Sequence, residues 1–179
     1  MTAALGHDSS AQTHIWALII GIEDYPTDPL PGADADVDNM LAWLGKRGTP
    51  AEHIQVLHNE EATRASILAA FESHLIANPM IPRDAPILLY YSGHGARLKP
   101  PEAWDAGEST DGLIEYIVPW DAVDDENQPD AAFAIPDRTL GALLRRLAHA
   151  KGNNVTAIFD CCHSGTRWAC DCHTSSYLR

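Results

Sequence analysis

The chain has 179 residues, enough for one domain with a sizeable core, and its 45% apolar and 21% charged content is that of a globular protein. Twenty-five acids against twelve bases leave a net charge of −13, which argues against a nucleic-acid or anionic-membrane partner, since both want a basic face. The longest apolar run, Ile15 to Ile22, is interrupted by Gly21 and too short to span a bilayer, and Met1 to Thr13 lacks the cationic start of a signal or transit peptide. A soluble cytoplasmic protein with no membrane contact is expected.

In chain order, Ile15 to Ile20 does not alternate and predicts a central strand buried on both faces. After the turn Gly21 to Pro26 and a proline-rich loop, Val37, Met40, Leu41 and Leu44 place an apolar stripe on a helix over Ala33 to Lys46, with Gly48 just past its end. His53 to His58 is a second strand. Thr63 is placed to cap a second helix carrying Ile67, Leu68, Phe71, Leu75 and Ile76 at helical spacing. Ile87 to Tyr91 is the third strand. Ala96 to Thr110 reads as a polar loop, Gly112 to Val118 as a short hairpin arm, and Asp124 to Pro129 as an acidic loop. Leu140, Leu143, Leu144 and Leu147 mark a third helix over Asp137 to Ala150, and Val155 to Phe159 is the fourth strand. Strand–helix alternation with right-handed crossovers predicts an α/β fold, a three-layer α/β/α sandwich on a mostly parallel sheet.

Two strands end in chemistry. The third runs into Ser92-Gly93-His94-Gly95 and the fourth into Asp160-Cys161-Cys162-His163-Ser164-Gly165. Carboxyl ends of parallel strands are where ligands and reactive groups gather. A histidine and a cysteine brought together there supply a thiol and the base that ionises it. All four cysteines fall between Cys161 and Cys172, a clustering that fits a reactive or metal site better than a disulfide framework. For any single cysteine at a strand end the bland alternative is a buried small hydrophobe. Alternation turns Cys161 away from its neighbour, so Cys161 is the packed one.

Tyr91-Ser-Gly-His-Gly95 and Asp160-Cys-Cys-His-Ser-Gly165 together resemble the histidine and cysteine signatures of the caspase and metacaspase peptidases, the second in its metacaspase form. The resemblance covers His14 to Gly165, the large catalytic subunit of that family. Residues 1–13 are then a polar tail and 166–179 a cysteine-rich tail, with no small subunit. It implies a caspase-like sandwich ending after the fourth core strand. It further implies a cysteine endopeptidase with Cys162 as nucleophile, His94 as general base and acid, and the amides of Gly95 and Cys162 as oxyanion hole. His163 is given a structural role in the turn.

In metacaspases the acid matching Asp160 lines a pocket for arginine or lysine. Asp36 and Ser92 match the pocket's other members, with Asp34 and Asp38 close enough in sequence to compete. Bidentate pairing of carboxylates with guanidinium is the physical basis. The implied partners are protein or peptide substrates with basic residues.

Metacaspases commonly use calcium, but the expected acidic stretch is here Asp111-Gly112-Leu113-Ile114-Glu115, with isoleucine in place of the second acid. The later pair is reduced to Pro136-Asp137, and the acid expected shortly after the nucleophile falls at or near Ala169. Calcium wants six or more oxygens, so calcium stays an open option with its expected acids largely missing, and no cofactor is expected to be required. Cys161, Cys162, His163, Cys170, Cys172 and His173 offer zinc ligands, but in no common closed spacing. The rival reading is a truncated, impaired fragment that binds or regulates a full-length relative. The fourth strand's outer edge, left bare, predicts self-association or a small-subunit partner.

Overall fold

The computed structural model describes residues 14–100, 104, 112–122, 131–161 and 176–177. Its main sheet carries, in spatial order, β2 (Ile54–His58), β1 (Trp16–Gly21), β3 (Ile87–Ser92), β7 (Val155–Asp160) and β8 (Ser176–Tyr177). The first four are parallel, so β1 and β3 are flanked on both sides, and every residue of these two strands is buried. That is why neither alternates in sequence. Alternating side chains still feed two cores: Leu18, Ile20, Leu89 and Tyr91 on one face, Ala17, Ile19, Leu88 and Tyr90 on the other.

The larger core is closed by α2 (Arg64–Ala70), which widens into a π-turn over Phe71–Ile76, and by α3 (Asp137–Lys151). Thr63 caps α2 as its sequence predicts, its Oγ1 accepting the Ser66 N–H at 3.1 Å. Phe71 is wholly buried there, and truncating it to alanine is expected to cost about 3–5 kcal/mol. The smaller core lies under α1 (Ala33–Lys46), which comes so close to β1 that a Cβ on Gly21 would overlap the Val37 side chain.

Two expectations are corrected. The loop predicted from Ala96 begins as a strand: β4 (Gly95–Leu98) pairs antiparallel with β5 (Ile114–Ile117), which pairs in turn with β6 (Ile135–Pro136). The arm is therefore three strands, not one hairpin over Gly112 to Val118. Four residues with an arginine at the third position carry too little alternation to announce a strand whose partner lies well along the chain. The outer edge of β7 is also not bare throughout. β8 pairs with it at Ile158 and Phe159, covering the end nearest the chemistry. Among the described residues, no helix is long and apolar enough to cross a membrane.

Candidate active site

β3 ends at Ser92, and the chain turns through Gly93 into His94 before β4 begins. Two phenols make that turn tight. A Cβ on Gly93 would lie 2.7 Å from the Tyr91 hydroxyl and 2.8 Å from that of Tyr25, so only glycine fits. Tyr25, buried in the loop after β1, accepts the His94 N–H at 2.9 Å and donates to the Val118 carbonyl at 2.8 Å. Tyr91 donates to the His94 carbonyl at 2.7 Å. Burial, then the neighbouring Tyr25 and Cys161, hold the Tyr91 phenol well above its usual pKa, so it stays a donor.

The His94 imidazole is 2% exposed. Its Nε2 lies 2.8 Å from the backbone carbonyl of Asp28, which can only accept, so Nε2 carries the proton and Nδ1 is the basic nitrogen. Burial lowers the pKa of His94, opposed by that carbonyl bond and by the Asp28 charge. The net shift favours the neutral ring. The Asp28 carboxylate stands 3.7 Å from the same Nε2, with a buried oxygen that has no hydrogen-bond partner among the described residues.

The loop carrying Tyr25 and Asp28 is itself tied down. The Glu23 carboxylate accepts the N–H groups of Gly32 and Asp34 at the start of α1, at 2.9 and 3.1 Å. Asn59 accepts from Glu23 and Asp24 at 2.8 and 2.9 Å, and the Trp120 indole donates to the Asp24 carbonyl at 2.7 Å.

On the α1 side of the same strand end, Ser92 stands in register with Asp160, and its hydroxyl makes a long 3.4 Å bond to Asp36. The three residues expected to form a basic-residue pocket are therefore together. Burial raises the Asp36 pKa, the Asp160 charge raises it further, and Ser92 offsets part of that. Beneath them Tyr90 is pushed up to about 12 by burial and then by the two carboxylates. Among the described residues neither carboxylate forms an ion pair, and the Asp160 charge acts on Asp36 as a like charge. Asp34 faces elsewhere, 2.7 Å from His58, and Asp38 is exposed.

Cys161 is half-buried against the larger core, on the face its alternation predicts. Cys162, His163 and the remaining cysteines lie outside the described residues, as do Asp111 and Ala169. The described part of the calcium stretch does not fit that ion. Ile114 is buried in the larger core and offers no side-chain oxygen, Glu115 is exposed, and no described group of three His, Cys, Asp or Glu could hold a metal.

The family model described as "Caspase domain" matches residues 14–176. The chain belongs to the caspase-domain family. Among its relatives, Metacaspase-1 of Mycosarcoma maydis is 34% identical over 88% of this chain and 37% of its own length. Metacaspase-2 of Trypanosoma brucei brucei is 30% identical over 84% of this chain and 41% of its own. The crystal structure of protein GSU0716 from Geobacter sulfurreducens superposes with a TM-score of 0.63 at 26% identity, over 86% of this chain and 52% of that one. This caspase-domain chain thus spans well under half the length of the curated relatives named here.

Sequence reasoning missed Tyr25 and Asp28. Tyr25-Pro26 reads as turn punctuation, and Asp28 reaches the imidazole through a backbone carbonyl, which every residue type carries alike.

Proposed function

We propose that this chain is the catalytic part of a cysteine endopeptidase that cleaves after arginine or lysine, with Cys162 as nucleophile and His94 as base. One observation carries the reading: Ser92 and Asp160 are paired in adjacent parallel strands, and His94 and Cys162 each follow two residues beyond that pair. In the reaction, Nδ1 of His94 takes the thiol proton and the thiolate attacks the scissile carbonyl. The oxyanion faces the amides of Gly95 and Cys162. Collapse expels the amine, which receives the proton from His94 and leaves a thioester. Water, deprotonated by His94, hydrolyses the thioester and returns the thiol. The Asp28 carboxylate beside Nε2 stabilises the imidazolium while it lasts. A substrate guanidinium or ammonium seats against Asp36, Ser92 and Asp160, relieving their repulsion. No step is routed through calcium.

Among the described residues β7 pairs outward only at Ile158 and Phe159, so the rest of that edge is proposed as the seat of a further strand, from a second copy or a small subunit. Sedimentation tests this part: a monomer that neither dimerises on concentration nor binds added small subunit would refute it. For the activity, a peptidyl-arginyl chloromethyl ketone is expected to alkylate the wild type and not Cys162→Ala, with mass spectrometry placing the adduct on Cys162. An unlabelled wild type, an adduct on Cys161, or preference for an aspartyl probe would sink the reading.

A further inference from the structure

Tyr25 sits where a backbone hydrogen bond belongs. Gly95 pairs with Ile117 and Ala96 with Tyr116, so the same register sets His94 opposite Val118. The Val118 N–H donates to the His94 carbonyl at 3.0 Å, which marks this as a hydrogen-bonded antiparallel pair. Such a pair exchanges two bonds. The second, from the His94 N–H to the Val118 carbonyl, passes instead through a phenol: His94 N–H to the Tyr25 oxygen at 2.9 Å, then the Tyr25 O–H to the Val118 carbonyl at 2.8 Å.

Alternation along the ladder makes the next pair, Gly95 with Ile117, a non-hydrogen-bonded one, so the Gly95 N–H points away from β5. β4 is an edge strand, so that direction is outward from the arm. Peptide planarity gives the same answer. The His94 carbonyl is held by the Tyr91 hydroxyl and the Val118 N–H, and in a trans peptide the Gly95 N–H projects the opposite way. The Tyr25 ring meanwhile lies 4.6 Å from the imidazole, inclined at 44°, and the same loop provides the Asp28 carbonyl that fixes Nε2.

We propose that Tyr25 is a positioning residue, its hydroxyl wedged into the end of the β4–β5 ladder to fix the Gly93–His94 peptide, while Tyr91 and the Val118 N–H hold the His94 carbonyl, so that the imidazole and the Gly95 amide address one reacting centre. This rests on the peptidase reading for its catalytic consequence, though not for its geometry. Linkage to Val118 also ties the His94 backbone to the residue that follows β5.

Tyr25→Phe removes one oxygen and keeps the ring. With an arginyl peptide substrate, kcat is expected to fall about a hundredfold, as misplacement of reacting groups does, while KM stays within about threefold. Hydrogen exchange of the His94 amide should accelerate at least about tenfold, with the β1 and β3 amides unchanged. Tyr116→Phe is the control, deleting another buried arm phenol, whose hydroxyl donates to the Lys99 carbonyl. It should alter neither kcat nor His94 exchange.

Equal losses in both variants, or unchanged His94 exchange in Tyr25→Phe, would overturn the inference. If the wild type neither hydrolyses the peptide nor takes the chloromethyl ketone, the peptidase reading fails by itself, and His94 exchange still decides the wedge. Should Tyr25→Phe not fold, the wild type alone serves: the Tyr25 hydroxyl proton is expected as a slowly exchanging NMR signal with a cross-peak to the His94 amide. Its absence refutes the wedge.

Discussion

Two sides of one strand end are built on opposite terms. At the end of β3, His94 is buried and its ring and both backbone polar groups are engaged, by Asp28, Tyr25 and Tyr91. Two residues earlier, Ser92 joins Asp36 and Asp160 in a patch whose carboxylates repel one another and have no described ion-pair partner. Fixing a base costs flexibility and calls for hydrogen bonds to its backbone and to the nitrogen that carries the proton. Recognising a cation calls for charge left unsatisfied until the ligand arrives. The two settings meet at one strand end because β3 stops at Ser92, and the turn at Gly93 takes His94 out of the strand's alternation and into the arm.

The largest effect that separates the two sides is on turnover. His94→Ala and Cys162→Ala are each expected to lower kcat for arginyl peptides by about a thousandfold or more, with the fold retained. Cys161→Ala should lose little activity, and an equal loss there would place the thiol wrongly.

Next comes the patch. Asp160→Asn should reduce the preference for arginine over a neutral residue by about tenfold to a hundredfold, read in kcat/KM, and leave thermal stability unchanged or higher. Higher stability is expected because the like charge that raises the Asp36 pKa is gone. A marked fall in melting temperature would mean that Asp160 is structural.

A smaller effect is the pH dependence of stability. Burial lowers the folded pKa of both His94 and His74, so below about 6.5 the unfolded chain binds more protons than the folded one. Their contribution is complete above that value and is lost as pH falls through it. The Asp36 shift has the opposite sign: its carboxyl favours the folded state in acid and loses that advantage as pH rises through its raised value. Urea midpoints from about pH 8 down to about pH 5 should decline, and His94→Gln should flatten the decline. No change in slope would show that His94 is solvated and titrates normally.

The smallest expected effect concerns calcium. Chelation should change activity less than about twofold, since Ile114, packed into the core, stands where an acid was expected. Strong calcium activation would erase the contrast by making the acids metal ligands.

Much of this was legible in the chain itself. Burial of apolar side chains acts through local periodicity, so α1 spans Ala33–Lys46 as its stripe predicts, and the parallel strands fall within a residue or so of their apolar runs. The two motifs at the ends of β3 and β7 could be assigned because residue identity carries their chemistry. Tertiary structure alone decided the rest. It set Asp36 beside Ser92 and Asp34 beside His58, because helix rotation turned the two acids to different neighbours. It made a strand of Gly95–Leu98, because a strand this short exists only against its partner. It set Tyr25 against His94 across 69 residues of sequence and gave Asp28 its place through a carbonyl. Periodicity reports which side chains leave water, whereas a hydrogen bond depends on where two distant backbones come to rest, and no local pattern encodes that distance.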